Sequence, residues 1–98
     1  DPKNVNIEYR ITSVTNVTFG DVDYTNETGS SATIDDAALP FSKKITKKVE
    51  AGELIRLSFY SSIPGSVKLE LLVDGKVVDS KTPSSTSSIY EVVSYGFQ

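Results

Sequence analysis

Apolar and polar residues alternate along most of this chain, and a period of two puts every second side chain of a strand on one face. Val5, Ile7, Tyr9 and Ile11 alternate with Asn6, Glu8, Arg10 and Thr12, which predicts a first strand. Val17, Phe19 and the stretch Val22 to Tyr24 predict a second. It is interrupted at Gly20, where a bulge or bend is expected because glycine leaves a gap in the side-chain packing. Asn26-Glu27-Thr28-Gly29 reads as a turn, Ser31 to Ile34 as a short third strand, and Asp35 to Ala38 as a loop leading to Leu39-Pro40-Phe41.

Phe41 to Val49 fits two periods. Phe41, Ile45 and Val49 recur every four residues, as on one face of a helix, with Lys43, Lys44, Lys47 and Lys48 around them. All three are also odd-numbered, the β-branched Ile45, Thr46 and Val49 favour a strand, and so short a helix is marginal alone. We read the segment as a strand. Beyond the Ala51-Gly52 turn, Ile55, Leu57 and Phe59 alternate with Arg56, Ser58 and Tyr60. Past the turn-rich Ser61 to Gly65, Val67, Leu69, Leu71 and Val73 alternate with polar neighbours.

Asp74-Gly75 is the strongest local signal, because a type I′ hairpin turn needs positive φ at both central residues. It predicts Val73 opposite Lys76 and Leu71 opposite Val78. Lys81 to Ser88 is a Ser/Thr-rich loop, and Ile89, Glu91, Val93, Tyr95 and Phe97 mark a terminal strand. Seven or eight short strands with no helix between them predict an all-β antiparallel sandwich, a single domain over residues 1–98.

Composition narrows the function. The net charge of −3 does not suit nucleic acid as the main partner, because neutralising phosphates needs a broad basic surface. His and Cys are absent, which removes imidazole and thiol chemistry, most zinc and copper sites, and any disulfide. With no nucleophile elbow, Ser-x-x-Lys pair or glycine-rich phosphate loop in view, a non-catalytic protein without a cofactor is expected. The chain opens Asp1-Pro2-Lys3-Asn4 with no initiator Met, which suits a trimmed leader or anchor segment as well as an arbitrary boundary. We expect an exported domain.

Four groups of residues are considered for binding. Asp21, Asp23, Asn26 and Glu27 cluster as hard-cation ligands do, but without the Asp-x-Asp-x-Asp-Gly spacing of a calcium loop, so no metal site is assigned. Lys43, Lys44, Lys47 and Lys48 crowd one strand, where they either meet an acidic partner or lipid headgroup or protect a sheet edge. Leu54, Leu72, Val77, Tyr90 and Val92 lie off the main apolar parity and are expected to form an outer patch, either as a partner surface or covered by loops. Tyr24, Tyr60, Tyr90 and Tyr95 would stack on sugars if the domain binds glycans.

Four segments, in order, resemble the MmpS family of small mycobacterial membrane proteins, which accompany lipid-exporting transporters, and their bacterial relatives. They are Ile7 to Ile11, Asp21 to Asn26, Leu39-Pro40-Phe41-Ser42, and Val67 to Val78 with its Val-Asp-Gly end. The resemblance implies an immunoglobulin-like extracytoplasmic sandwich in the periplasm or at the bacterial cell surface. It further implies a tether by an N-terminal anchor outside this sequence and action as an accessory to a transporter or another membrane or envelope protein. No catalytic residue follows from it. The alternative is a surface adhesin or glycan-binding module.

Overall fold

The alternating segments all become strands in the computed structural model, which describes residues 2–98 and so leaves Asp1, in the chain start considered above, outside the description. Among the described residues there are nine: β1 (Lys3–Thr15), β2 (Phe19–Thr25), β3 (Ser31–Ala38), β4 (Phe41–Val49), β5 (Leu54–Ser61), β6 (Gly65–Val73), β7 (Lys76–Lys81), β8 (Ser84–Ser85) and β9 (Ile89–Gly96). A front sheet runs β4-β1-β6-β7, with the short β8 beside β6, and a back sheet runs β3-β2-β5-β9. Every pairing is antiparallel, and the two sheets stack as a sandwich.

The period of two decides what is buried. Val5, Ile7, Tyr9 and Ile11 of β1 and Val67, Leu69 and Leu71 of β6 meet Val22, Ile55, Leu57, Phe59 and Val93 of the back sheet, all of them buried. Each large aliphatic side chain so buried contributes roughly 1.5–3 kcal/mol before the cost of ordering it. Tyr9 crosses the sandwich from front to back, and its hydroxyl donates to the Thr25 carbonyl at 2.7 Å. Burial pushes the Tyr9 phenol well above its usual pKa. Phe41 to Val49 is the strand β4, with Ile45 opposite Ile7, so the helical reading of its spacing is discarded.

Three details depart from the local reading. The third strand continues through Asp35 to Ala38 because Gly20 pairs with Ala37 and Val22 with Ile34, so Asp21 faces two residues of β3. The bulge therefore belongs to β3, where Asp36 takes φ 54° and its amide donates to Asp21 Oδ1 at 3.0 Å. Gly20 itself is needed because a methyl group there would overlap the Phe59 ring. At the hairpin, Asp74 and Gly75 have the expected positive φ and Val73 faces Lys76, but Leu71 faces Asp79, leaving Val78 as an extra residue. Asp74 also reaches beyond its own hairpin, its amide donating to the Asn6 carbonyl at 2.7 Å and its carboxylate accepting from the Asn6 amide at 2.9 Å. The third departure is β8, which lies inside the expected Lys81 to Ser88 loop.

The two flanks of the sandwich are finished differently. On one flank the edge strands β7 and β9 lean together. Asp79 Oδ2 accepts from the Ser94 amide at 3.0 Å, Lys81 and Glu91 form an ion pair at 3.5 Å, and Glu91 Oε2 accepts from the Val92 amide at 3.1 Å. On the other flank β3 and β4 are joined in sequence by Leu39 and the cis-linked Pro40, and each pairs on one side only. Among the described residues no hydrogen bond or ion pair joins those two strands. A file of rings, Tyr9 to Tyr24 at 5.3 Å and Tyr24 to Phe41 at 6.4 Å, leads from the core to this open flank.

Candidate functional site

Strand register across the back sheet assembles an outer face that no single strand announces. Asp21 faces Tyr60, which faces Tyr90, making one row across three strands. In the next row Asp23 faces Ser58, which faces Val92, and beyond it Arg56 faces Ser94. Leu54 closes the same face beside Gly96. Tyr90 is 61% exposed, Leu54 60% and Tyr60 44%, which are high values for large apolar and aromatic side chains. Phe19, also exposed, lies at the end of the face nearest Asp21.

The polar groups here are partly committed to the sheet. Asp23 accepts from the Thr33 hydroxyl and, at 3.5 Å, from the buried Ser58 hydroxyl, while Asp21 holds the Asp36 amide. Asn26 Oδ1 accepts from the Thr28 amide at 3.0 Å, the Thr28 hydroxyl at 2.8 Å and the Ser30 amide at 3.0 Å, which fixes the β2–β3 turn. The acidic segment considered as a cation loop thus spends these oxygens on bonds within the fold.

Leu54, Tyr90 and Val92 share this outer face, but Leu72 and Val77 do not. Those two pair with each other on the front sheet, where Val77 is exposed and Leu72 is 5% exposed. The expected outer patch is therefore two separate surfaces, and Leu72 belongs to neither as a contact residue. Alternation tells which side of a strand a residue takes, not which sheet that strand joins. Tyr60 was not among the expected patch residues, although its even parity on β5 matches that of Leu54. Of the tyrosines considered for sugar stacking, Tyr24 is in the core and Tyr95 packs edge-on against Phe97 at 5.1 Å.

The lysines of β4 divide as well. Lys43, Lys44 and Lys48 are exposed along the edge, but Lys47 is 4% exposed. Lys47 Nζ donates to Glu53 at 2.6 Å and to the Lys48 carbonyl at 3.3 Å, so it is an internal cation and not a docking group. That contact holds the Glu53 carboxyl below its usual pKa. Glu8 is lowered too, first by its hydrogen bond from Arg10 at 2.7 Å and also by Lys44, and it accepts from the Ser42 hydroxyl at 3.3 Å. A hollow of about 410 Å³ beside Glu8 and Lys44 is lined by Asn6 and Thr46, which hydrogen-bond to each other.

No protein-family model matches this chain, and no curated protein matches it.

Proposed function

We propose that this domain is a non-catalytic binding module of the bacterial envelope, an accessory to a membrane transporter or to another envelope protein. The observation that carries this reading is the pairing of Tyr60 with Tyr90 on the outer back sheet, with Val92 in the next row and Leu54 exposed at the far end of the same face. Tyrosines supply large, amphipathic contact area at little entropic cost and are enriched where binding energy concentrates. Asp21, Asp23 and Arg56 give that apolar centre the polar surround of a protein interface.

The segments that resemble the MmpS family fall on β1, β2, the β3–β4 link and the β6–β7 hairpin. They are scaffold. The four patch residues lie on β5 and β9, outside all of them, so the resemblance does not specify which partner they meet. An extracytoplasmic location and an N-terminal tether outside this sequence belong to the same reading.

A photo-crosslinking residue at position 90 in native envelopes tests it. Capture of one membrane or envelope protein is expected, reduced at least tenfold by Tyr60→Ser with Leu54→Ser, together with altered lipid or siderophore export on deletion. No such partner and unchanged export would remove the accessory reading. The second reading is glycan binding, favoured by the Asp21 carboxylate in the same row as both tyrosines, since rings stack on sugars while carboxylates accept from hydroxyls. A glycan array with Tyr90→Ala as its control separates the two.

A further inference from the structure

We propose that two copies of this chain associate through their open flanks, as a twofold dimer in which β4 of each copy adds to the back sheet of the other beside β3. This surface is separate from the outer back sheet, so the proposal stands or falls apart from the function proposed above.

Charge selects the occupant. β4 carries Lys43, Lys44, Lys47 and Lys48 and no acid, whereas β3 carries Asp35 and Asp36 and no base. Lys43, Lys44, Lys48, Asp35 and Asp36 form no ion pair among the described residues. Lysines along an edge oppose pairing of β4 with another β4, and Asp35 with Asp36 opposes pairing of β3 with another β3. The same charges favour the mixed pairing.

Height selects the arrangement. Only Leu39 and Pro40 separate the two strands, so β3 and β4 leave their link at one level and run in opposite directions. Asp36 and Asp35 consequently stand about as far from the link as Lys43 and Lys44 do, give or take one residue at the bulge, or about 3.3 Å. A twofold axis along the strands keeps every height and exchanges front with back. It sets β4 of one copy antiparallel to β3 of the other, with Lys43 and Lys44 level with the facing Asp36 and Asp35. The interface is isologous, so it occurs twice and closes at two copies. Phe41 and Ile34, both half-buried at the open flank, meet their counterparts between the two paired edges.

Sedimentation equilibrium of the chain from about 10 μM to about 1 mM tests this, at concentrations suited to a modest interface. A dimer is expected whose dissociation constant rises at least tenfold between low and high salt, because exposed pairs are screened. Lys43→Glu with Lys44→Glu, and separately Asp35→Lys with Asp36→Asn, should each weaken it at least tenfold. Asparagine is chosen at position 36 because it tolerates positive φ. Mixing the two variants should restore a dimer, since each supplies the charge that the other needs, while circular dichroism reports that both remain folded. A monomer at every concentration and low salt, a dimer indifferent to the charge changes, or two folded variants that do not recover on mixing would overturn the proposal.

Discussion

The flank formed by β7 and β9 and the flank formed by β3 and β4 solve the same problem in opposite ways. A strand at the edge of a sheet presents unpaired amides and carbonyls that invite another chain. On the first flank carboxylates from within the fold take up two of those amides, at Val92 and Ser94, and an ion pair ties the sheets together. On the second flank the protection is lysine charge on one strand and a bulge on the other. The lesson is that a bond within the chain closes an edge to every partner, whereas charge closes it only to partners of like sign.

The most forceful way to break this comparison is to ask whether the flanks are separable at all. Phe59 is fully buried between them, and Phe59→Ala is expected to cost about 3–5 kcal/mol through lost burial and the cavity left behind. In urea melts, probes placed on each flank should shift together; a shift on one side alone would mean that the sandwich is not one cooperative unit.

A smaller change sharpens the contrast. Asp79→Ala leaves the Ser94 amide without its acceptor and is expected to cost about 1 kcal/mol, with faster hydrogen exchange at Ser94. Asp35→Ala, on the open flank, is expected to stay within about 0.5 kcal/mol when measured on the monomer. Equal losses from the two would show that the carboxylates on the closed flank contribute no more than ordinary surface charges.

Acid gives the smallest effect and acts through β4. Glu8 and Glu53 both contact that strand, through Ser42 and Lys47, and both carboxyls are held below their ordinary value of 4.5. A depressed carboxyl contributes stability that is present above the unfolded value and lost as pH falls through the folded one. Melting temperature should therefore hold from neutral pH down to about 5 and decline beneath 4.5. Glu53→Gln should remove part of that decline. A profile unchanged by this substitution would assign the acid response elsewhere.

Much of this architecture is legible in the order of residues. The alternation in β1, β4, β5, β6 and β9 gives the strands and their buried sides, and Asp74-Gly75 gives its hairpin, because those signals are local. What is not legible depends on partners distant in sequence. Asp35 and Asp36 look like a loop, and only the amide bond to Asp21 and the pairing of Ala37 with Gly20 keep them in β3. Val78 slips out of register two residues beyond a correctly read turn. At the candidate site the same limit applies. Leu54, Tyr90 and Val92 show outward parity, but it takes the pairing of β5 with β9 to set Tyr60 beside Tyr90, and the stacking of sheets to bury Leu72 and Lys47.

The hydroxyl of Tyr9, bonded to the Thr25 carbonyl across the interior, has a spectroscopic consequence. With no tryptophan in the sequence, ultraviolet emission from the protein comes from five tyrosines, and this one is fully enclosed, bonded to a carbonyl, and 5.3 Å from the ring of Tyr24. A red-shifted absorption and a strong near-ultraviolet dichroic signal are expected of a ring so held. The near-ultraviolet dichroism of the native domain should therefore report, without any label, whether its two layers are in contact, and should collapse with them on unfolding.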